Sequence, residues 1–281
     1  MYLCSHSIYE KRDQNSYYDD ISINEIKKIN KNFHLTFDDG YLSIYKYKEI
    51  LCNMKNKIIL FICPGFIEGD TNIWWFELLD FFNKTNSDLK FSFRGKDFYF
   101  SLKTNKEKEF CYKKLSIIFK KINQRSQQEL LNIIIKKRKK IDYRKNFLTW
   151  EMIYELSQCP NISIGSHTYS HPNLKNEDKN KVSFELKKSK EVIEKNIKKE
   201  CSYLAFPYGG YNSFDNKIID KALEIGYKNI FTTEPKINFI KKEKQIIINR
   251  LTSSPNISND RLWLYSRYLI KGFKNILINN V

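Results

Sequence analysis

Apolar residues in this chain gather into short continuous runs, and amphipathic stretches separate one run from the next. The runs Phe33–Phe37 and Lys57–Cys63 are continuous rather than alternating, as expected of parallel strands covered on both faces. A shorter strand is predicted at Tyr2–Ser5, a helix near Ile23–Lys31, and a second helix at Tyr41–Met54 with apolar positions Leu42, Tyr45, Ile50 and Leu51. The same rhythm returns after residue 148. Thr149 reads as an N-cap with Glu151 in the first turn of a helix through Ser157, followed by the strand Ile162–Ser166. Then come a long polar helix over Asp178–Lys199, the strand Tyr203–Phe206, a helix Phe214–Ile225 stopped by Gly226, and strands at Lys228–Phe231 and Ile246–Leu251. The last segment, Asp260–Ile278, reads as a basic amphipathic helix that packs on the body of the protein or, alternatively, touches a membrane surface.

Residues 70–147 have a different texture. A Trp-rich helix (IWWFELLDFF) precedes the alternating run KFSFRGKDFYFSL, which predicts a hairpin turning at Arg94–Asp97. Helical patterns follow at Glu107–Ile122 and Gln127–Lys139, the second ending in the basic run KKRKK, read as a solvated helix end. No internal repeat or low-complexity linker interrupts the chain. Repeated βα units therefore predict one α/β, barrel-like domain spanning residues 1–281, with a mixed helix and hairpin insertion at about 70–147.

Composition adds boundaries to that picture. A chain of 281 residues with 41% hydrophobic and 15% aromatic content buries a sizeable core. The formal charge of +17 comes from lysines spread along the whole chain. That spread points to overall composition rather than to a nucleic-acid surface, and no nucleic-acid partner is expected. No apolar run reaches membrane-spanning length, and the N-terminus lacks the apolar core of a signal peptide. Six cysteines without a CxxC pair read as buried reduced thiols, so a cytoplasmic location is expected, with the inner face of a membrane as the place for any contact through 260–281.

Three short stretches carry the candidate chemistry. The first is LTFDDGY at residues 35–41, where Asp38 and Asp39 end an apolar strand. Adjacent carboxylates there repel each other and lose hydration unless a cation or proton offsets them, although Asp-Gly is also an ordinary turn former. The second is GSHTYSHPNL at 165–174, again directly after a strand. His167 and His171 are half of the four histidines in the chain, and Pro172 places them on a turn rather than a helix. One carboxylate and two imidazoles make a divalent-cation site with open positions, and the other carboxylate can act as base. The third stretch is LAFPYGGYN at 204–212, where the chain turns after Pro207 and the Tyr208 N–H could face an oxyanion.

In this order, TFDDGY, SHTYSHPNL and FPYGG resemble the polysaccharide deacetylase (NodB-homology) family of carbohydrate esterases, over about residues 33–69 and 148–252. The resemblance implies a distorted (β/α) barrel with its site at the strand C-termini. By motif it implies Asp38 as catalytic base and Asp39, His167 and His171 as ligands of a divalent metal, usually Zn2+. It further implies Tyr208 N–H as oxyanion donor, Pro207 and Tyr208 at the substrate, and hydrolysis of an N-acetyl group from an amino sugar.

Two features depart from the family pattern. The arginine that many members carry before the proline of the third motif is replaced here by Leu204–Ala205–Phe206, leaving Arg250 in INRLTSS as the candidate to orient Asp38 or hold substrate. The late histidine that protonates the leaving amine is absent, since no histidine follows His171. His6 is placed near the rim of the site, and His34, within the strand Phe33–Phe37, in the core or in a partly paired role. A long Trp-rich insertion resembles that of members linked to surface-glycan synthesis, which points to a bacterial surface glycan or its precursor as substrate. Deformylation on the same scaffold, a glycan-binding protein without activity, and a basic membrane- or nucleic-acid-associated protein are the alternatives.

Overall fold

In a computed structural model, which describes residues 1–10, 20–234, 240–242 and 245–252, seven parallel strands close into a barrel. They are β1 (Tyr2–Ser5), β2 (His34–Phe37), β3 (Ile58–Ile62), β4 (Ile162–Ser166), β5 (Tyr203–Ala205), β6 (Asn229–Thr232) and β7 (Gln245–Thr252). Each pairs with the next in chain order, and β7 returns to β1 with Leu3 opposite Leu251. A short strand, Ile240–Lys242, runs antiparallel along β7.

Side-chain parity explains both the continuous apolar strands and the position of the site. Along β3, Ile58, Leu60 and Ile62 face the surrounding helices, while Ile59 and Phe61 face the barrel interior with Ala205, Phe231 and Ile248. Gly165 on β4 makes room for that interior, because a Cβ there would lie 2.7 Å from the Phe61 ring. On the same parity, Cys4, Thr36, Asp38 and Arg250 turn inward near the C-terminal ends of β1, β2 and β7. The outer core is closed by α4 (Trp150–Ser157), α5 (Lys179–Ile197) and α6 (Asn216–Ile225). Thr149 caps α4 through the Met152 N–H, Asp178 caps α5 through the Lys181 N–H, and Gly226 at φ 104° ends α6.

Between β3 and β4 the chain leaves the barrel and builds α1 (Trp74–Lys84), the hairpin Leu89–Phe93/Lys96–Phe100, α2 (Asn105–Phe119) and α3 (Gln124–Ile134). A second cluster holds these together, centred on Trp74, Trp75, Phe82, Phe91, Leu115 and Phe119. The segment rejoins the barrel against the turn after β2, where Phe147 bridges to Tyr41 and the Leu148 N–H donates to the Gly40 carbonyl.

Several expectations need correction. The stretch 41–54 is not one helix but a 3₁₀ segment Leu42–Tyr47 followed by one helical turn Lys48–Cys52. The helix expected to run to Lys139 ends at Ile134, and the KKRKK run lies in the turn beyond it. Arg138 from that run is largely buried and pairs with Glu77 of α1 through contacts of 2.5 and 2.7 Å, so it is a structural tie rather than a solvated end. The cysteines are not all reduced. Cys52 and Cys159, 107 residues apart, form a disulfide where the turn after β2 meets the end of α4, and Cys4, Cys63, Cys111 and Cys201 are buried thiols. Nothing local in the sequence marks such a distant pair, and the cytoplasmic expectation loses the support it drew from reduced thiols. The segment 260–281 lies outside the described residues. Among the described residues, no helix is long and apolar enough to cross a membrane.

Candidate active site

Three loops that leave the C-terminal ends of β2, β4 and β5 meet over the barrel mouth. The first turns sharply after Phe37. Asp39 adopts φ 69° and Gly40 φ 79°, and the Gly40 N–H donates to the Asp38 carbonyl. A Cβ at Gly40 would sit 3.1 Å from Ile62, so glycine meets both the left-handed backbone and the close approach to β3. The turn aims both aspartates at the cavity, where each is 4% exposed.

Asp38 is clamped. Arg250 reaches across from β7 and makes two parallel bonds to it, Nη1 to Oδ1 at 2.6 Å and Nη2 to Oδ2 at 2.9 Å. Nη1 also donates to Thr36 Oγ1, and the guanidinium stacks over Phe61 at 5.2 Å. Burial by itself would raise the pKa of Asp38, but the charges of Arg250 and His167 and the hydrogen bonds from Arg250 outweigh it and hold the carboxyl well below the usual range. Arg250, the candidate to orient Asp38, thus reaches it from β7 across the closed barrel.

The histidine loop brings two imidazoles beside Asp39. His171 Nε2 lies 3.4 Å and His167 Nε2 3.7 Å from Asp39 Oδ1, and the candidate ligand atoms of all three residues lie within 4.8 Å of one another. His167 Nδ1 is 2.8 Å from the Ala205 carbonyl, which fixes the proton on Nδ1 and leaves Nε2 free to coordinate. Burial pushes the pKa of His171 down to about 4, opposed by the charge of Asp39, so that ring is neutral at physiological pH. Asp39 Oδ1 is buried and makes no hydrogen bond. A buried carboxylate oxygen facing two imidazoles fits a divalent cation bound among the three residues.

The third loop carries Tyr208 at φ 63°, with its ring edge-on to His171 at 4.9 Å. Pro207 is buried and turns the chain into Tyr208, but it is not among the residues lining the cavity. That cavity, of about 540 Å³, has Asp38, Asp39, His167, His171 and Arg250 on its floor. Its outer wall comes from Trp74 and Trp75 of α1 and from Lys113, Ser116 and Ile117 of α2. His6, from the turn after β1, also lines it, and its charge acts on both Asp38 and His171. Sequence reasoning left the wall residues unassigned, since nothing in their own pattern says which face of α2 overhangs the barrel.

A family model described as polysaccharide deacetylase matches residues 112–230, a span that includes His167, His171 and Tyr208. Solved structures share the fold. A de-N-acetylase from Aggregatibacter actinomycetemcomitans is 14% identical with a TM-score of 0.52, over 95% of this chain and 98% of that one. A Streptococcus pyogenes deacetylase in complex with acetate is 15% identical with a TM-score of 0.53, over 92% and 93%. A polysaccharide deacetylase from Bacillus cereus is 15% identical with a TM-score of 0.51, over 95% of this chain and 68% of that one. No curated protein matches the chain by sequence. The closed parallel barrel and the match over residues 112–230 make the chain similar in fold and in part of its sequence to polysaccharide deacetylases.

Proposed function

We propose that the chain is a metal-dependent hydrolase that removes the N-acetyl group from an amino sugar of a bacterial surface glycan or its precursor. The observation that carries this is the meeting of Asp39, His167 and His171 around one point, beside an Asp38 held ionised by Arg250. Asp39, His167 and His171 would hold a divalent ion, Zn2+ by the donor set, which would supply Lewis acidity toward water and an acyl carbonyl. Asp38 accepts the proton of the attacking water. Its depressed pKa makes it a weak base, so it depends on a water that has already been made acidic. Tyr208 N–H is the candidate donor to the oxyanion. His6 is the candidate proton donor to the leaving amine, because it is the third imidazole lining the cavity and no later histidine exists in the chain.

Acetate release from N-acetylated oligosaccharides and sugar donors, measured with Zn2+ loaded, tests this directly. Asp38→Asn and His6→Gln are expected to abolish or strongly reduce release while metal stays bound, and His167→Ala to lose the metal as well. Formate release from an N-formyl sugar, without acetate release, would move the assignment to deformylation. Bound metal without acyl release from any sugar would leave a glycan-binding role.

A further inference from the structure

Behind the histidine loop lies a polar cluster that lines no part of the cavity. Glu185, on the inner face of α5, is fully buried, and ionisable side chains are rarely so unless paired. It accepts from Ser170 N–H at 2.8 Å, lies 2.5 Å from Ser170 Oγ, and pairs with Lys181 at 2.8 Å. Gln124, at the start of α3, holds the same serine from the opposite side. Its Nε2 donates to the Ser170 carbonyl at 2.8 Å and its Oε1 lies 3.0 Å from Ser170 Oγ. Ser170 immediately precedes His171. On the other side of His171, Asn173 donates to the carbonyl of Lys120, at the end of α2, at 2.8 Å.

The loop needs such holding. Thr168 and His171 sit at φ 65° and 59°, a left-handed backbone that non-glycine residues adopt at a cost of roughly 1–3 kcal/mol each. Within the loop, Thr168 Oγ1 accepts from the His171 N–H at 3.1 Å, and Ser166 Oγ is 2.7 Å from Ser189 on α5. The peptide units on either side of Ser170, which aim the second imidazole, are held by Thr168 within the loop and from outside it by the side chains of Glu185 and Gln124 and by the Gly65 N–H, which donates to the Tyr169 carbonyl at 2.8 Å.

We propose that Glu185 and Gln124 are positioning residues for His171, acting through Ser170, so that the segment between β3 and β4 helps set the affinity of the Asp39–His167–His171 centre for a divalent cation. This rests on the metal centre proposed above. The test is Zn2+ affinity of the full chain by competition with a chromophoric chelator, alongside thermal stability. Glu185→Ala is expected to weaken Zn2+ binding about 10- to 100-fold and Gln124→Ala about tenfold, the range for groups that orient metal ligands. Glu185→Gln, which keeps an acceptor for the Ser170 N–H, should recover most of the loss. Thr149→Ala, a cap lost on α4 far from the loop, should lower stability without changing Zn2+ affinity. If Glu185→Ala does not fold, Gln124→Ala at its half-buried helix start carries the test alone. Wild-type Zn2+ affinity in Gln124→Ala and in a folded Glu185→Ala would overturn the inference and leave the metal centre standing. A wild-type chain that binds no Zn2+ would overturn the centre and the inference together.

Discussion

Inside the barrel a small set of apolar side chains, Ile59, Phe61, Ala205, Phe231 and Ile248, lies beneath a buried ion pair and two buried imidazoles. The segment between β3 and β4 instead packs aromatic against aromatic, as in the stacking of Trp74 on Phe119 at 4.8 Å and of Phe91 on Phe98 at 4.8 Å. Both regions border the same cavity. One supplies charge that is costly to bury and is tolerated only through paired geometry, and the other supplies an aromatic wall edged by Lys113 and Ser116. Chemistry and enclosure are thus built by separate parts of the chain, and they touch through Ser170 and Asn173.

Substitutions can break that division at either end. The largest effect is expected from Asp39→Ala, which removes a ligand and should lower the rate of acyl release at least about a thousandfold, together with bound metal measured by atomic absorption. Arg250→Met leaves the Asp38 carboxylate buried without its partner and should destabilise the fold by about 3–5 kcal/mol in denaturant titration. Adding Asp38→Asn to that variant should restore much of the stability but none of the activity. Phe119→Ala in the segment between β3 and β4 should cost about 3 kcal/mol locally. Hydrogen exchange should show α1 and α2 opening while the barrel strands stay protected, and an equal loss in both regions would mean that they unfold as one unit.

Acid should act first on the barrel side. The pKa of His171 is about 4 in the folded protein and about 6.5 when unfolded. The unfolded chain therefore binds more protons between those values. Stability of the metal-free protein is full above pH ~6.5 and declines as pH falls toward ~4, by at most about 3 kcal/mol from this residue. Asp38 adds to the loss only at lower pH, because its folded pKa lies below the usual carboxylate value. His171→Ala should flatten the upper part of that profile. The smallest effect is expected at Gly95, whose φ is 72° with open space around its Cα. Gly95→Ala should cost about 1 kcal/mol through backbone strain alone.

The strands were legible because burial on both faces leaves a continuous apolar run, and Ile162–Ser166 is read to the residue. The Asp38–Asp39 and His167–His171 pairs were legible because each follows such a run at a strand end. The pairing of Arg250 with Asp38 could be named only as a candidate, since 212 residues separate them and only barrel closure brings them together. Glu185 was invisible for a different reason. Among the many charged positions of α5, no local pattern distinguishes a fully buried glutamate from its solvated neighbours. Arg138 misled in the opposite direction, because a run of cations conceals the single member that is paired.

The disulfide between Cys52 and Cys159 has a consequence for how the chain responds to cutting. Every residue of β3, of the hairpin and of α1 to α3 lies between its two half-cystines. A protease that nicks the exposed hairpin turn near Gly95 would sever the polypeptide without separating its halves. The nicked protein should migrate as one band on a non-reducing gel and as two after reduction. The barrel would remain tethered across the break, with both carboxylate and imidazole loops still on one covalent molecule.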